Sequence, residues 1–220
     1  MAWAKLDGDC QLPLAHHCAD VACVFRRLVD RPVTRARLAH AAGQVLIEDV
    51  TLDRLAVLAF LHDFGKANHG FQARIGPKAP PIGHLRQTRW LFRTRDAAGA
   101  KLLNACVLVD LKGFRNDSVL EFIDAVLAHH GKPVAADDQP GDRDLRLPKN
   151  GVDPLDTLKD LGLVVRTESP KVFEEDGEIV PDTPAFIHAF AGLLNLAHDP
   201  VERVLSIRGM RTSDDARGRH

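Results

Sequence analysis

The stretch LDRLAVLAFLHDFGK, residues 52–66, joins a long apolar run to a His-Asp pair. Its apolar residues recur at intervals of three and four, which is typical of a helix with one buried face. His62 and Asp63 follow that run, and Gly65 predicts the end of the helix. Neutral imidazole and ionised carboxylate are natural ligands of divalent transition metals. We therefore predict a buried helix that ends in metal-binding side chains.

The adjacency of His62 and Asp63 restricts how the two can bind metal. Neighbouring side chains of an α-helix diverge by about 100°, so the pair cannot chelate an ion as residues four apart do. It can act where Asp63 bridges two ions, or where the helix end bends both side chains inward. Lys66 lies one turn after His62 and could meet a phosphate. Taken alone, the pair is explained equally well as a His-Asp dipeptide on the surface.

Apolar periodicity predicts helices along most of the remaining chain. The predicted helices cover residues 14–29, 34–47, 52–64, 85–95, 97–111, 118–130, 154–163 and 184–198. Thr51 and Thr183 are predicted N-caps, and Ser118 with Glu121 predicts a capping box. The main predicted loops are 66–83, 133–152 and 164–181, the last with a small hairpin at 175–178. The predicted fold class is all-α.

The composition fits a single soluble domain. A chain of 220 residues with 45% hydrophobic residues can build one core, and we assign 1–210 to the domain and 211–220 to a polar tail. The net charge of −1 gives no global basic field, so nucleic-acid binding would need a local patch. The four cysteines form no C-x-x-C pair, which argues against a zinc ribbon or a disulfide framework. With no secretory signal and no apolar run near the ~20 residues of a membrane helix, we expect a cytoplasmic protein without a membrane partner.

Histidines also cluster at the ends of three other apolar helices. They are His16 and His17, followed by Asp20, in helix 14–29, His84 before helix 85–95, and His129 and His130 before Gly131. Each cluster alone also fits a structural role, such as a surface turn or a helix C-terminus. Because helix ends converge at one pole of a bundle, all of them together predict a cluster of about six or seven ligands. Such a cluster suits phosphodiester cleavage by two metal ions, which activate water and clamp the reacting oxygens.

The order of these motifs resembles the HD nuclease domain of the type I CRISPR nuclease-helicase. The matching segments are WAK at 3–5, LPLAHHCADVA at 12–22, HDFGK at 62–66, His84, and HHGKP at 129–133. The resemblance spans most of residues 1–200 and implies an HD-domain helical bundle with metal ligands gathered at helix ends.

Carried over by position, the resemblance implies two metal sites that share one carboxylate. The first would hold its ion with His17, His62 and Asp63, and the second with Asp63, His84, His129 and His130. The family spacing His-x-x-Asp selects His17 over His16. Asp63 and Lys66 would be the catalytic residues, with Lys66 on the scissile phosphate. The many imidazoles favour two transition-metal ions, Mn, Ni, Co or Fe, over Mg, which remains possible.

The chain departs from the family pattern late in the last predicted helix. The segment AGLLNLA at 191–197 matches, but His198, Asp199 and Pro200 stand where the family has the Asp-Trp that closes the first site. Strict alignment places His198 in the ligand position, and a shift of one residue places Asp199 there. Pro200 predicts that the helix ends near Asp199. We expect His198 to be favoured slightly over Asp199, and the first site to be filled but weaker than the second.

A local basic strip supports a nucleic-acid partner. Arg86, Arg89 and Arg93 would share one face of helix 85–95, with Trp90 among them and Arg95 beyond. A basic strip with an aromatic residue suits a groove that tracks the backbone of single-stranded DNA. A solvated charged face over a buried Trp90 explains the same residues equally well.

The resemblance implies that the chain cuts single-stranded DNA exposed by an RNA-guided CRISPR surveillance complex, in antiviral defence and beside a helicase. No G-x-x-x-x-G-K-[ST] loop is present, so the chain would be a stand-alone HD subunit or an excised domain. One alternative is an HD phosphohydrolase that acts on nucleotides. Another is a non-catalytic HD module that docks onto the surveillance complex or the helicase.

Overall fold

The computed structural model describes residues 2–7, 10–75, 83–86, 89, 110–115, 118–130, 154–174 and 177–217. Helices and one two-stranded hairpin make up this part of the chain. The predicted all-α HD bundle is therefore confirmed, with a small β addition that the apolar periodicity did not reveal. None of the helices in the described ranges has both the length and the apolar composition of a membrane span.

The hairpin lies at the start of the chain. Strand β1 (Trp3–Asp7) pairs antiparallel with β2 (Cys10–Pro13), and the first helix follows directly. The N–H of Leu14 donates to the carbonyl of Ala2 at 2.9 Å, which ties the start of that helix to the strand before it. β1 also contacts the 3₁₀ helix Leu61–Ala67. The hairpin therefore covers the segment that carries the His-Asp pair.

In the described part of the chain the bundle contains seven α-helices and three 3₁₀ helices. The α-helices are α1 (Leu14–Val29), α2 (Pro32–Ala42), α3 (Asp49–Phe60), α4 (His69–Gln72), α5 (Ser118–Leu127), α6 (Pro154–Glu168) and α7 (Pro184–Arg217). The 3₁₀ helices are Leu61–Ala67, Ala73–Ile75 and Pro170–Phe173. α1 packs against α3 and α7, and α7 also packs against α2 and α5.

Aromatic side chains from three helices meet at the centre of the core. The ring of Phe190 on α7 contacts Phe25 on α1 edge-on at 5.5 Å and Phe122 on α5 at 5.6 Å. All three side chains are fully buried. Edge-to-face rings at this spacing stabilise a core beyond their buried area, by about 0.5–1.5 kcal/mol a pair. This contact fixes α1, α5 and α7 relative to one another.

Several helix boundaries and caps predicted from the sequence are wrong. The helices begin and end at residues that the apolar periodicity alone did not indicate. α2 ends at Ala42, since Gly43 adopts a left-handed φ of 70°. α3 begins at Asp49, so Thr51 lies inside the helix and does not cap it. Ser118 Oγ has no hydrogen-bond partner among the described residues, so the predicted capping box is not formed. The cap at Thr183 is confirmed, since its Oγ1 accepts from the N–H of Phe186 at 3.2 Å.

Two helices also run longer than predicted. α6 continues to Glu168, and 3₁₀ helix Pro170–Phe173 occupies much of the segment predicted to be irregular. α7 does not end near Pro200 but continues through it to Arg217. The loop 133–152, most of the predicted helices 85–95 and 97–111, and half of the predicted hairpin at 175–178 lie outside the described residues.

A buried arginine joins α3 to the chain around Gly113 and Glu178. The Arg54 side chain is fully buried and donates to the carbonyl of Glu178 at 2.9 Å and to that of Glu174 at 3.2 Å. Gly113 has a φ of 81°, and a Cβ on it would lie 2.1 Å from Arg54 Nη1. The guanidinium cannot retreat without losing its hydrogen bonds. Only glycine therefore fits at position 113.

We expect Gly113→Ala to lower the free energy of unfolding by at least about 2 kcal/mol, because backbone strain and the clash with Arg54 add. Gly43→Ala is the matched control, since its φ is 70° but nothing lies within 4 Å of its Cβ position. It should cost only about 1 kcal/mol, for the backbone strain alone. Urea unfolding of both variants measures the difference. Equal losses would contradict the proposed clash.

Candidate metal centre

The His-Asp pair lies on a helix that changes its pitch. After Phe60 the backbone of α3 tightens into the 3₁₀ helix Leu61–Ala67, which runs past Gly65 instead of ending there. A 3₁₀ helix has three residues per turn, so side chains three apart lie directly above one another. Lys66 Nζ accordingly lies 2.6 Å from Asp63 Oδ2. The tighter turn brings His62, Asp63 and Lys66 into one buried site.

One group of potential ligands surrounds the Oδ2 side of Asp63. It consists of His17, His62, Asp63 and His198, all buried, with ligand atoms within 4.8 Å of one another. His17 Nε2 lies 2.9 Å from Asp63 Oδ2, and His62 Nε2 lies 3.4 Å from the same oxygen. The two imidazole Nε2 atoms are themselves 3.3 Å apart. The group comes from α1, the 3₁₀ helix and α7, which are distant in sequence.

A second group surrounds the other oxygen of the same carboxylate. It consists of Asp63, His84, His129 and His130, of which His130 alone is exposed. His84 Nε2 lies 2.9 Å from Asp63 Oδ1, and His129 Nε2 lies 3.4 Å from it. Asp63 thus presents Oδ2 to one group and Oδ1 to the other. This is the geometry that a bridging carboxylate requires.

Backbone carbonyls orient two of the imidazoles. His62 Nδ1 lies 2.8 Å from the carbonyl of Ala59, and His129 Nδ1 lies 2.8 Å from that of Val126. A carbonyl can only accept, so each Nδ1 carries the proton and donates it. The lone pair of each neutral ring is then on Nε2, which faces the cluster.

Burial keeps the imidazoles in the form that binds metal. It lowers the pKa of His62 to about 4, with a contribution from His129. The pKa of the exposed His130 is also lowered to about 4, because its ring is partly desolvated and lies beside His129. Burial also lowers the pKa of His84 and of His198. These side chains are therefore neutral near pH 7. A neutral imidazole needs no proton release before it can act as a ligand.

The carboxylate is ionised in spite of its burial. Burial alone would raise the pKa of Asp63, but His62 and Lys66 outweigh it and hold that pKa well below its usual value. Burial raises the pKa of the neighbouring Cys18 thiol, and this residue belongs to neither group of potential ligands. The described centre offers six imidazoles and one carboxylate.

The donor set fits divalent metal ions. Asp63 Oδ1 and His129 Nε2 are buried and have no hydrogen-bond partner among the described residues. His84 Nε2 approaches Oδ1 to 2.9 Å, but without the alignment of a hydrogen bond. Buried polar atoms without partners cost roughly 1–3 kcal/mol each. A cation between these atoms would satisfy both.

The register of α7 buries His198 and exposes Asp199. Between residues 184 and 200, where burial is described, the buried positions of this helix are Phe186, Phe190, Leu194, Ala197 and His198. They recur at helical spacing, so His198 continues the buried stripe while Asp199 is turned out and exposed. Asp199 belongs to neither ligand group. The helix holds this register through Pro200 because the stripe is anchored in the core on its N-terminal side.

The remaining predicted residues lie outside the two groups. His16 and Asp20 are exposed on α1, and neither belongs to a ligand group. Arg86 is exposed, and Arg89 Nε donates to Asp124 Oδ1 at 3.1 Å. Arg93, Trp90 and Arg95 lie outside the described residues, so the basic strip stays a prediction.

One residue that supports the centre was not found from the sequence. Asn68, directly after the 3₁₀ helix, is buried and bonds to backbone on either side of the cluster. Gln72, one turn on, donates to the carbonyls of Lys66 and Trp3. A single asparagine forms no recognisable sequence motif. Only the position of Asn68 shortly after the His-Asp pair could have indicated its role.

Comparisons with known proteins show the family and the fold to which this chain belongs. The family model described as "Cas3, HD domain" matches residues 3–198. A comparison with curated protein sequences gives no match. Among solved structures, "Crystal structure of T. fusca Cas3-ATP" has 20% identity and a TM-score of 0.64 over 94% of this chain and 23% of that one. "CRISPR RNA-guided surveillance complex, pre-nicking" has 20% identity and a TM-score of 0.62 over 91% and 24%.

A third similar structure, "Crystal structure of CRISPR-associated protein", has 24% identity and a TM-score of 0.59 over 90% of this chain and 22% of that one. The chain thus spans about a quarter of the length of these relatives. At such identities the likeness establishes the fold, while the family model covers most of the chain and includes the His-Asp centre. The chain therefore belongs to the Cas3 HD-domain family.

Proposed function

We propose that this chain is a metal-dependent nuclease that cleaves single-stranded DNA in CRISPR interference. The observation that carries the proposal is the position of Asp63, whose two oxygens face two separate groups of imidazoles. A shared carboxylate between two ligand groups is typical of sites that hold two divalent ions. The mainly imidazole donor set favours Mn, Ni, Co or Fe, with Mg possible.

Each residue of the centre has a proposed part in this reaction. The imidazoles of both groups would hold the ions, and the Asp63 carboxylate would bridge them. Two bound ions would supply an activated water and offset charge on the phosphate oxygens. The Lys66 ammonium lies on Asp63 Oδ2 and would exchange this contact for a phosphate oxygen when DNA binds. There it would stabilise the charge that develops on the phosphate.

The proposed partners follow from the family and from the basic residues that come after His84 in the sequence. The surveillance complex is proposed because a solved structure of that title shares this fold. A helicase domain or subunit is proposed because the sequence motifs resemble the HD nuclease domain of a nuclease-helicase. Arg86, Arg89 and Arg93 would follow the DNA backbone, although Arg89 would first have to release Asp124. The proposed location is the cytoplasm.

We expect cleavage of a labelled single strand without ATP when Mn, Ni, Co or Fe is added, because imidazole ligands prefer these ions. Asp63→Ala should lower the rate by more than about 100-fold, since a lost ligand costs more than a lost supporting contact. The exposed Asp199→Ala is the matched control and should retain the rate. Full activity in Mg alone would contradict the ligand argument. Turnover of nucleotides with DNA intact would favour the nucleotide phosphohydrolase, and no turnover would favour the docking module.

A second prediction concerns the number of ions. Asp63→Ala should empty both sites, because its carboxylate belongs to both ligand groups, whereas His84→Ala should mainly weaken one. Metal analysis of the dialysed variants measures the stoichiometry. Retention of two ions by Asp63→Ala would show that Asp63 does not bridge them.

A third prediction separates the two candidates that close the first group. His198→Ala should weaken the first ion by about 10-fold or more, because an imidazole is lost from a site that has only one carboxylate. Asp199→Ala should leave the affinities for both metal ions within about twofold of those of the unaltered chain. The Asp199 side chain is exposed and belongs to neither ligand group. Calorimetric titration with Mn or Co compares the two variants. A larger effect of Asp199→Ala would mean that the register of α7 differs in solution.

A further inference from the structure

The side chain of Asn68 links the backbone segments that carry Asp63 and His84. Its Nδ2 donates to the carbonyl of Gly65 at 2.7 Å and to the carbonyl of Gly83 at 3.1 Å. Gly65 belongs to the 3₁₀ helix that holds Asp63, and Gly83 directly precedes His84. Asn68 and Gly83 are 15 residues apart in sequence. The link therefore sets the spacing of two segments that the chain itself joins only indirectly.

Asn68 also orders the residue that packs against the His84 ring. Its Oδ1 accepts from the N–H of Phe71 at 2.8 Å, in the manner of a helix N-cap. The Phe71 ring is buried and lies edge-on to the His84 imidazole, with 5.7 Å between the ring centres. A single side chain thus constrains His84 both through its preceding carbonyl and through its neighbouring ring.

Only a short amide can make all of these contacts. The two N–H groups of Asn68 serve two carbonyls, and its oxygen serves one N–H. Aspartate has the same shape but no donor, serine has a single hydroxyl, and glutamine is one methylene longer. Asn68 is 6% exposed, so water has little access to replace a lost contact. The loss of the donors would leave two carbonyls without this partner.

We propose that Asn68 is a positioning residue for His84. It holds the imidazole where Nε2 lies 2.9 Å from Asp63 Oδ1. The proposal rests on the proposed metal centre, in which His84 is a ligand of the second group only. Groups that orient metal ligands typically change metal affinity by about 10- to 100-fold. The loss should fall on the second group and spare the first, which contains His198.

The test compares two chemically equivalent substitutions. Asn68→Asp keeps the shape of the side chain and the acceptor for Phe71, but removes both donors. Gln72→Glu is the matched control, because it makes the same amide-to-acid change on a side chain that bonds to Lys66 and Trp3 rather than to Gly83. Asn68→Ser serves as a second variant if the carboxylate prevents folding.

The first measurement uses the metal-free chain and does not depend on the proposed function. The ring C–H resonances of His84 and His198 are assigned from the His84→Gln and His198→Gln spectra. We expect Asn68→Asp to shift or split the His84 resonance and to leave that of His198 in place, while Gln72→Glu leaves both. An unchanged His84 resonance, or equal shifts of both histidines, would overturn the positioning role.

The second measurement is a calorimetric titration with Mn or Co. We expect Asn68→Asp to weaken one ion about 10-fold or more and to leave the other within about twofold. In the His84→Ala background the same change should have little further effect, whereas in the His198→Ala background it should keep its full effect. If the losses of metal affinity caused by Asn68→Asp and His84→Ala add in the double variant, the role of Asn68 is purely structural. An unaltered chain that binds no metal would refute the metal centre, while the resonances would still decide the role of Asn68.

Discussion

A fully buried, ionised carboxylate is the constraint on which this structure depends. Removing a charge from water costs several kcal/mol unless partners surround it, and Asp63 is completely buried. Lys66 and His17 approach one of its oxygens, and His84 and His129 approach the other. These partners come from four separate segments of the chain. The bundle must therefore close correctly for the carboxylate to be tolerated.

The buried faces of α1 and α7 carry both hydrophobic core residues and histidines of the polar centre. On α1 the buried residues Leu14, Val21 and Phe25 share a face with His17, and on α7 the buried positions that include Phe190 continue to His198. The contact of Phe190 with Phe25 fixes the rotation of both helices about their axes. Packing in the core thus directs the imidazoles inward, and a one-residue change of register would turn each ligand away.

Supporting contacts complete the centre through the backbone. The carbonyls of Ala59 and Val126 determine the tautomers of His62 and His129. The side-chain amide of Asn68 links the 3₁₀ helix to the residue before His84. None of these groups is a ligand. They determine where the ligand atoms point, which for a metal site matters as much as which residues are present.

The sequence by itself determined the helical class, the bounds of α1 and most of the histidines that gather around Asp63, because amphipathic spacing and motif residues can be read from the chain alone. Only the tertiary structure decided that the helix tightens at Leu61, that α7 passes through Pro200, and that His198 rather than Asp199 faces inward. These outcomes depend on packing between helices far apart in sequence. Such packing outweighs the local preferences of a proline or a glycine, and no pattern within one segment can contain it.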